Sequence, residues 1–328
     1  MNRQEIAAEI ERTFHGLPDD TGGPVLPDRK SARFSRGKVR DILDLGERMI
    51  ICTSDRISAF DRILATIPCK GEVLNGLSTY WFEQTQDIIP NHLEKKISSR
   101  SVAVRKYSVL PVEVVVRAYL TGSSWRDYQK SGTVSGIRLP SGMRFNERFP
   151  EPLLTPSTKA EKGTHDVPVS EETILQKKIV PPDLWEQVRE AAFRLFERGT
   201  EIAAARGLLL VDTKYEFGVD EGGNAVLVDE IHTPDSSRYW FADSYEELFT
   251  TGEKQRKIDK EYLRQWLMEQ GFMGDGEQPE IPADIRVNVA EKYIEAYELL
   301  TGAPFRPEAN SPEEERELVL DYLQQNLL

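Results

Sequence analysis

Two acidic residues in the segment DTKYEFGVDEGGNAVLVDEI, residues 212–231, are spaced so that they could hold a cation. If the Gly222–Gly223 pair forms a two-residue turn, the flanking strands pair antiparallel and Glu216 lies opposite Asp229. Two opposed carboxylates repel each other, and Asp229 stands between apolar neighbours. A hard cation such as Mg²⁺, held by carboxylates and substrate phosphates, would offset that repulsion, with Lys214 adding charge on the same face. A hairpin with solvated surface charges is the alternative, and a five-residue loop would break the pairing.

A basic turn near the N-terminus could bind phosphate. The segment SRGKVRD, residues 35–41, places Gly37 and Lys38 between other cationic residues. Glycine can adopt positive φ and lets a phosphate approach the backbone closely. The turn matches neither a Walker A motif nor GxGxxG. We therefore expect either a loop that closes over a polyphosphate or a solvated hairpin.

An arginine interrupts the apolar strand VEVVVRAYL and precedes a candidate helix N-terminus. Arg117 must find a partner there, and the following TGSS segment contains Ser123. Helix N-termini and arginine side chains both bind phosphate well. Arg238, in TPDSSR, comes directly after the acidic strand and would lie near the proposed metal site. Structural salt bridges and a helix cap are the alternatives for these residues.

Two further segments carry polar residues whose local pattern leaves their role open. SDRISAFDRIL, residues 54–64, contains Asp61 and has the small polar residues of a turn or of a site for a zwitterion. TPSTKAEKGTHD contains Lys159, His165 and Asp166 in a long loop. No second histidine stands at metal-ligand spacing and no G-x-S-x-G motif occurs, which sets aside zinc and serine-hydrolase sites.

Composition describes an ordinary globular chain. A length of 328 residues is enough for two domains. The composition, 39% hydrophobic and 30% charged, is typical of globular proteins. The formal net charge of −13 argues against nucleic acid as the main partner, because phosphate backbones require a basic face. No apolar run reaches the length of a membrane span, and the N-terminus lacks a signal-peptide pattern. With only Cys52 and Cys69, a disulfide framework is not expected, and the reducing cytoplasm is the simplest location.

The patterning of the chain is mixed, with short strands early and helices late. Hydrophobic periodicity, β-branched runs and turn residues predict these elements. They are helices at 2–14, 71–86, 120–131, 170–179, 182–205, 259–270, 284–300 and 312–326, and strands within 33–67 and at 101–107, 112–120, 207–219 and 225–231, with an irregular segment at 132–169.

Eight motifs in order resemble one family of purine-biosynthesis ligases. They are GKVRD, TSDRISAFD, KGEVLNGLS, IIPNH, VEVVVRAYLTGS, TPSTKAEKGTHD, DTKYEFG and VDEIHTPDSSR. This series is similar to the longer form of the phosphoribosylaminoimidazole-succinocarboxamide synthases, or SAICAR synthetases, over residues 33–245 and more weakly to 270. The resemblance implies an α+β, two-lobed ATP-grasp-like fold that binds ATP between its lobes. It consists of an N-terminal antiparallel β lobe at 1–115 and a larger α/β lobe at 116–328 with C-terminal helices.

The resemblance also implies an activity and a set of site residues. The family joins carboxyaminoimidazole ribonucleotide (CAIR) to L-aspartate at the expense of ATP, with an acyl phosphate as the expected intermediate. Gly37 and Lys38 match the phosphate-covering loop, and Glu216 and Asp229 match the Mg²⁺ ligands. The positions matching substrate contacts are Arg117, Ser123, Lys214, Arg238, Asp61, Lys159 and Asp166. Lys38 and Lys214 are the expected catalytic cations.

Three positions depart from the family pattern, and two other activities compete with the ligase. Cys69 stands where a glycine is usual, Ser135 replaces a cysteine and Phe241 replaces a proline. A small-molecule kinase of the same architecture would transfer phosphate to a hydroxyl and would not need an amine. A non-catalytic nucleotide-binding module would not need opposed carboxylates. Nucleic-acid binding through RGKVR conflicts with the net charge.

Overall fold

The computed structural model describes residues 1–17, 33–60, 62–159, 167–258 and 261–326. The chain forms two compact units. The first contains Met1–Tyr80, His92–Lys106 and Asp259–Leu328, and the second contains Trp81–Asn91 and Tyr107–Ile258. Within the described ranges, no helix combines the length and apolarity that a membrane span requires.

The elements are as follows. The helices are α1 (Arg3–Ala8), α2 (Lys70–Thr85), α3 (Gly122–Ser131), α4 (Glu171–Gln176), α5 (Pro182–Ala204), α6 (Tyr245–Thr251), α7 (Glu261–Glu269), α8 (Ala283–Thr301) and α9 (Pro312–Asn326). The strands are β1 (Arg33–Arg36), β2 (Arg40–Asp44), β3 (Arg48–Thr53), β4 (Arg56–Ala59), β5 (Arg62–Thr66), β6 (Leu93–Lys96), β7 (Ser101–Arg105), β8 (Ser108–Tyr119), β9 (Thr133–Val134), β10 (Ile137–Arg138), β11 (Arg148–Leu154), β12 (Ser157–Thr158), β13 (Val167–Pro168), β14 (Leu208–Val219), β15 (Ala225–Val228), β16 (Ser237–Phe241) and β17 (Lys257–Ile258).

The first unit is built on an antiparallel sheet of order β1-β2-β3-β7-β6. Its core joins Leu43, Ile50 and Ala103 of the sheet to Val319 and Leu323 of α9. The C-terminal residues therefore belong to the first unit, and the compact units do not coincide with the predicted lobes 1–115 and 116–328. The physical reason is that the apolar side of α9 is buried on strands from the N-terminal part of the chain.

The second unit is built on a larger sheet of order β13-β12-β8-β14-β16-β17, with β11 paired to β8 and β15 paired to β14. The central strands β8 and β14 alternate apolar and polar residues, so the sheet has two different faces. Tyr215 and Phe217 are buried. Helix α5 packs against β14 with its buried residues Val188, Leu195 and Phe196.

Local pattern predicted most of the helices and the central strands, but it did not predict β6, β16, α6 or β17. The predicted strand 225–231 ends at Val228, because Asp229 adopts the left-handed conformation with φ 69°. The segment 132–169, predicted to be irregular, contributes β11 and β12 to the edge of the main sheet beside β8. Proline is tolerated in β11 because the register with β8 is interrupted between Arg148 and Leu153.

A histidine lies in the core of the second unit. The His232 side chain is fully buried, and its Nε2 shares a hydrogen bond of 2.5 Å with the Tyr215 hydroxyl. The Trp81 ring lies edge-on at 4.7 Å between ring centroids. A Cβ atom at Gly199 of α5 would overlap the His232 ring, so only glycine permits this approach. Burial lowers the pKa of His232 to about 3, which keeps the imidazole neutral in the folded chain.

We predict that His232 makes the stability of the chain fall as the medium is acidified. The unfolded state, with a histidine pKa near 6.5, binds a proton that the folded state excludes down to about pH 3. The contribution of neutral His232 to the free energy of unfolding is therefore fully present above pH 6.5 and is lost as the pH falls below that value. Between pH 7 and pH 5, wild type should lose about 2 kcal/mol more than His232→Gln in the free energy of unfolding measured with urea. Parallel pH profiles of the free energy of unfolding for wild type and His232→Gln would show that His232 does not cause the loss.

Candidate active site

Charged side chains from three strands lie on one face of the sheet in the second unit. Asp212, Lys214 and Glu216 alternate along β14 and therefore point to the same side. Antiparallel pairing places Arg117 and Glu113 of β8 opposite Asp212 and Glu216, and Arg238 of β16 opposite Asp212. We call these six residues the charged face: Glu113, Arg117, Asp212, Lys214, Glu216 and Arg238. Its position is fixed by the burial of the alternate residues of β14 on the other side.

The predicted register of the acidic hairpin is wrong by one residue. Glu216 pairs with Val228, and Asp229 follows the end of β15. The cause is a five-residue loop, 220–224, in place of a two-residue glycine turn. Asp220 closes this loop, since its Oδ1 accepts a hydrogen bond of 2.8 Å from the Asn224 amide, while its own amide donates to the Asn224 carbonyl at 3.0 Å.

The carboxylate opposite Glu216 comes from Glu113 instead. Lys214 Nζ donates to Glu113 Oε1 at 2.8 Å and to Glu216 Oε1 at 3.0 Å. Lys159 Nζ donates to the second oxygen of Glu216. Sequence reasoning missed Glu113, although a signal was present. Glu113 stands four residues before Arg117 in a strand, and period-two alternation places both on one face.

The electrostatics of this acidic cluster favour positive charge. Burial disfavours the Lys214 ammonium, but the negative charges of Glu216, Asp229 and Glu113 outweigh it and raise the pKa of Lys214. Lys214 is therefore cationic at neutral pH, and Asp229 contributes to the field at its ammonium group. Among these five residues alone, three carboxylates face the two ammonium groups of Lys214 and Lys159, an excess of one negative charge.

This donor set fits a magnesium ion that is completed by phosphate oxygens. Mg²⁺ usually binds one or two carboxylates together with substrate phosphates and water. Within the described part of the chain, no group of three or more His, Cys, Asp or Glu residues is arranged as a metal site. Glu216 and Asp229 supply hard oxygen atoms beside the residual negative charge, which is the chemistry that the ion prefers.

Two arginines share one aspartate at the other end of the charged face. Arg117 Nη1 donates to Asp212 Oδ2 at 2.8 Å, and Arg238 Nε donates to Asp212 Oδ1 at 2.8 Å. Thr155 Oγ1 accepts from Arg117 Nε at 2.9 Å. Burial alone would raise the pKa of Asp212, but the charges of Arg238 and Arg117 outweigh it and lower that pKa. The trio keeps one net positive charge.

The N-terminus of α3 adjoins these arginines. Ser123 Oγ lies 3.4 Å from Arg117 Nη2 and accepts its hydrogen bond. Gly122 has φ 60°, a conformation that favours glycine, and a Cβ atom there would overlap Arg238 Nη1, so a larger residue would displace the guanidinium. Ser124 closes the first turn by hydrogen bonding with the Thr121 backbone. A helix N-terminus beside two guanidinium groups is suited to bind a phosphate.

The glycine turn belongs to the first unit. Gly37 donates to the Arg40 carbonyl at 2.7 Å and closes the turn between β1 and β2. Gly37 does not use the positive φ that glycine can adopt. A Cβ atom there would lie 3.0 Å from the Arg40 carbonyl oxygen, so a larger residue would require the turn to shift by a few tenths of an ångström.

The remaining predicted positions divide into described and undescribed residues. Asp61 and Asp166 lie outside the described residues, whereas Lys159 forms an ion pair with Glu216. Cys69, where the family usually has glycine, has φ 61° and therefore carries the backbone strain that glycine would avoid. Ser135 is also left-handed, with φ 47°. Phe241 is the last residue of β16.

Comparison with known proteins decides the family. The profile of the SAICAR synthetase family matches residues 33–279 of this chain. The chain belongs to the SAICAR synthetase family. A phosphoribosylaminoimidazole-succinocarboxamide synthase from Bacteroides thetaiotaomicron is 47% identical over 297 residues, covering 89% of this chain and 93% of that protein. One from Legionella pneumophila is 44% identical over 281 residues, covering 84% and 89%.

A solved structure of the same family shares the fold. The SAICAR synthase from Saccharomyces cerevisiae, complexed with SAICAR, is 36% identical and superposes with a TM-score of 0.75. The match covers 88% of this chain and 100% of the yeast chain. The predicted fold class, α+β and of the SAICAR synthase type, is confirmed.

Proposed function

We propose that this member of the SAICAR synthetase family is an ATP-dependent ligase that joins L-aspartate to the carboxylate of CAIR. The products are SAICAR, ADP and phosphate, and the reaction belongs to purine biosynthesis. The relatives named above carry this activity in their names, and the yeast relative was solved with SAICAR. The observation that carries the proposal is the charged face, where an arginine-bearing end and an acidic, lysine-bearing end share strand β14.

The arginine end would hold the ribonucleotide by its phosphate. Arg117 and Arg238 keep a net positive charge after pairing with Asp212, and the α3 N-terminus adds the partial charge of its amides. The Ser123 hydroxyl would donate a hydrogen bond to a phosphate oxygen. Asp212 and Glu216 are separated by four residues of β14, about 13 Å along an extended strand. That separation would place the reacting carboxylate of the ribonucleotide nearer to Lys214.

The acidic end would hold the metal of ATP. Glu216 and Asp229 are the proposed Mg²⁺ ligands, and Gly37 and Lys38 are the proposed contacts to the ATP phosphates. The bound ion would neutralise negative charge that builds up on the phosphates during transfer. Lys214 stays protonated and would orient an anionic oxygen atom next to the transferred group.

The chemistry requires activation of a carboxylate, because oxide is too poor a leaving group for direct attack by an amine. Transfer of the γ-phosphoryl group of ATP to the carboxylate oxygen would give an acyl phosphate and ADP. The aspartate amine would then attack the acyl carbon, and phosphate would leave with the C–O bonding pair. Positioning of the reactants can supply about 7–11 kcal/mol of the required rate enhancement.

The other predicted positions enter as substrate contacts. We assign Asp61, Lys159 and Asp166 to binding of the ribonucleotide or of L-aspartate, on the basis of their motifs. For Lys159, the ion pair with Glu216 at the acidic end supports the assignment. We place the activity in the cytoplasm, which suits two free, buried cysteines, and we propose neither nucleic acid nor a membrane as partner.

The proposed function is tested by product analysis. The purified chain is incubated with ATP, Mg²⁺ and CAIR, with and without L-aspartate, while ADP is followed and SAICAR is detected by mass. The ligase should form ADP and SAICAR together and only in the presence of L-aspartate. Consumption of ATP without aspartate, and without an amide product, would contradict the ligase and favour a kinase.

We predict that Asp229→Asn lowers kcat by at least about 100-fold, because one metal-binding charge is removed from the site. The substitution keeps the side-chain shape, so the Tm should change little. Asp243→Asn is the control: Asp243 lies in the same unit, is 71% exposed and pairs with an exposed arginine. A variant at Asp229 with the turnover and Mg²⁺ dependence of wild type would remove Asp229 from the metal site.

A further inference from the structure

The backbone of the glycine turn is held by side chains from a neighbouring segment of the first unit. Arg56 Nε donates to the Lys38 carbonyl at 3.1 Å, and Arg56 Nη2 donates to the Gly37 carbonyl at 3.1 Å. Ser54 Oγ donates to the next carbonyl, that of Val39, at 2.8 Å. Three consecutive carbonyl groups of the turn therefore accept hydrogen bonds from two side chains of the sequence Ser54-Asp55-Arg56.

Arg56 is itself fixed in place. It is 5% exposed, and its Nη2 also donates to Asp41 Oδ1 at 2.8 Å. Its Nη1 donates to the His15 carbonyl. A Cβ atom at Gly16 would lie 2.5 Å from Arg56 Nη1, so the backbone at Gly16 covers the guanidinium directly. The planar guanidinium thus joins the turn, the β2 carboxylate and the N-terminal segment in one geometry.

The direction of these hydrogen bonds determines how the turn is presented. In a planar trans peptide the carbonyl and the amide N–H point in opposite directions. Because the carbonyls of Gly37 and Lys38 point to Arg56, the amides of the next residues, Lys38 and Val39, point away from it. Arg56 thereby orients the side of the turn that would face a phosphate.

Stability alone is a poor explanation for a buried guanidinium at this position. Burying an ion pair costs desolvation that apolar packing would avoid, so such a pair is weak evidence for stabilisation. What Arg56 provides, and an apolar residue would not, is a set of fixed donors for adjacent carbonyl groups. A single ammonium group cannot reproduce that planar fork.

We propose that Arg56 is a positioning residue that holds the Gly37–Val39 turn in the conformation needed to bind the phosphates of ATP. The inference rests on the proposed role of Gly37 and Lys38 as phosphate contacts. Arg56 acts through the turn and not by touching the nucleotide. Its loss should therefore weaken use of ATP while leaving use of the ribonucleotide intact.

The test compares steady-state constants of Arg56→Lys, Lys38→Met, the double variant and wild type. Arg56→Lys should raise the KM for ATP about tenfold and leave the KM for CAIR within about twofold, since the lost hydrogen bonds belong to the turn. Lys38→Met should also raise the KM for ATP. If both residues act through the turn, the double variant should show less than the product of the two single effects.

The control is Arg286→Lys in the same unit. Arg286 donates to the Thr66 carbonyl at 2.7 Å, to the Thr66 hydroxyl at 3.0 Å and to the Ile10 carbonyl at 3.4 Å, and none of these acceptors belongs to the turn. The Arg286→Lys substitution should lower the Tm without changing the KM for ATP. If Arg56→Lys does not fold, Ser54→Ala gives the same readout, because it removes one hydrogen bond to the turn and keeps the Arg56–Asp41 ion pair. We expect it to raise the KM for ATP a few-fold.

The outcomes separate this inference from the function on which it rests. If Lys38→Met raises the KM for ATP but Arg56→Lys leaves it within about twofold of wild type, Arg56 does not position the turn and the phosphate role of Lys38 stands. If the KM for ATP of the double variant rises by the full product of the two single effects, the inference is also overturned, since Arg56 would then act independently of Lys38 and the turn. If neither variant changes the KM for ATP, the role of the turn is wrong and the inference falls with it.

Discussion

The charged face of the second unit depends on the sharing of Asp212 between Arg117 and Arg238. Two guanidinium groups on strands that flank β14 would repel each other in a partly buried site, and the intervening carboxylate makes their approach favourable. The same arrangement leaves one positive charge beside the N-terminus of α3. In the proposed phosphate site, structure and recognition therefore use the same three side chains.

Strand β14 supports two functions through its two faces. Tyr215 and Phe217 are buried on the side of α5, where they fix the strand in the core. Asp212, Lys214 and Glu216 are thereby directed to the opposite side at a spacing of two residues. Along this face Lys214 pairs with Glu216, and Asp212 pairs with Arg117 and Arg238 of the flanking strands. The residual charges, positive at the arginine end and negative at the acidic end, suit a phosphate and a metal ion respectively.

Local sequence pattern predicted much of this arrangement and failed where distant pairing decided it. Alternation correctly placed Lys214 and Glu216 on one face, and the interrupted strand indicated Arg117. The register of the hairpin depended on hydrogen bonds of Asp220 within its loop, which a Gly-Gly pair in the sequence does not reveal. Glu113 became part of the site only through pairing of β8 with β14, across about a hundred residues of chain. Likewise, the placement of α9 in the first unit results from tertiary burial of Val319 and Leu323.

Asp212 organises the arginine pair, and calorimetric titration of Asp212→Asn with CAIR tests this role most directly. Simple charge counting predicts tighter binding of a phosphate, because a negative charge is removed beside two arginines. An organising role for Asp212 predicts the reverse: affinity should fall at least about tenfold, since the guanidinium groups lose their shared partner and repel. Binding that is unchanged or tighter, in a variant whose Tm shows it to be folded, would contradict the claim.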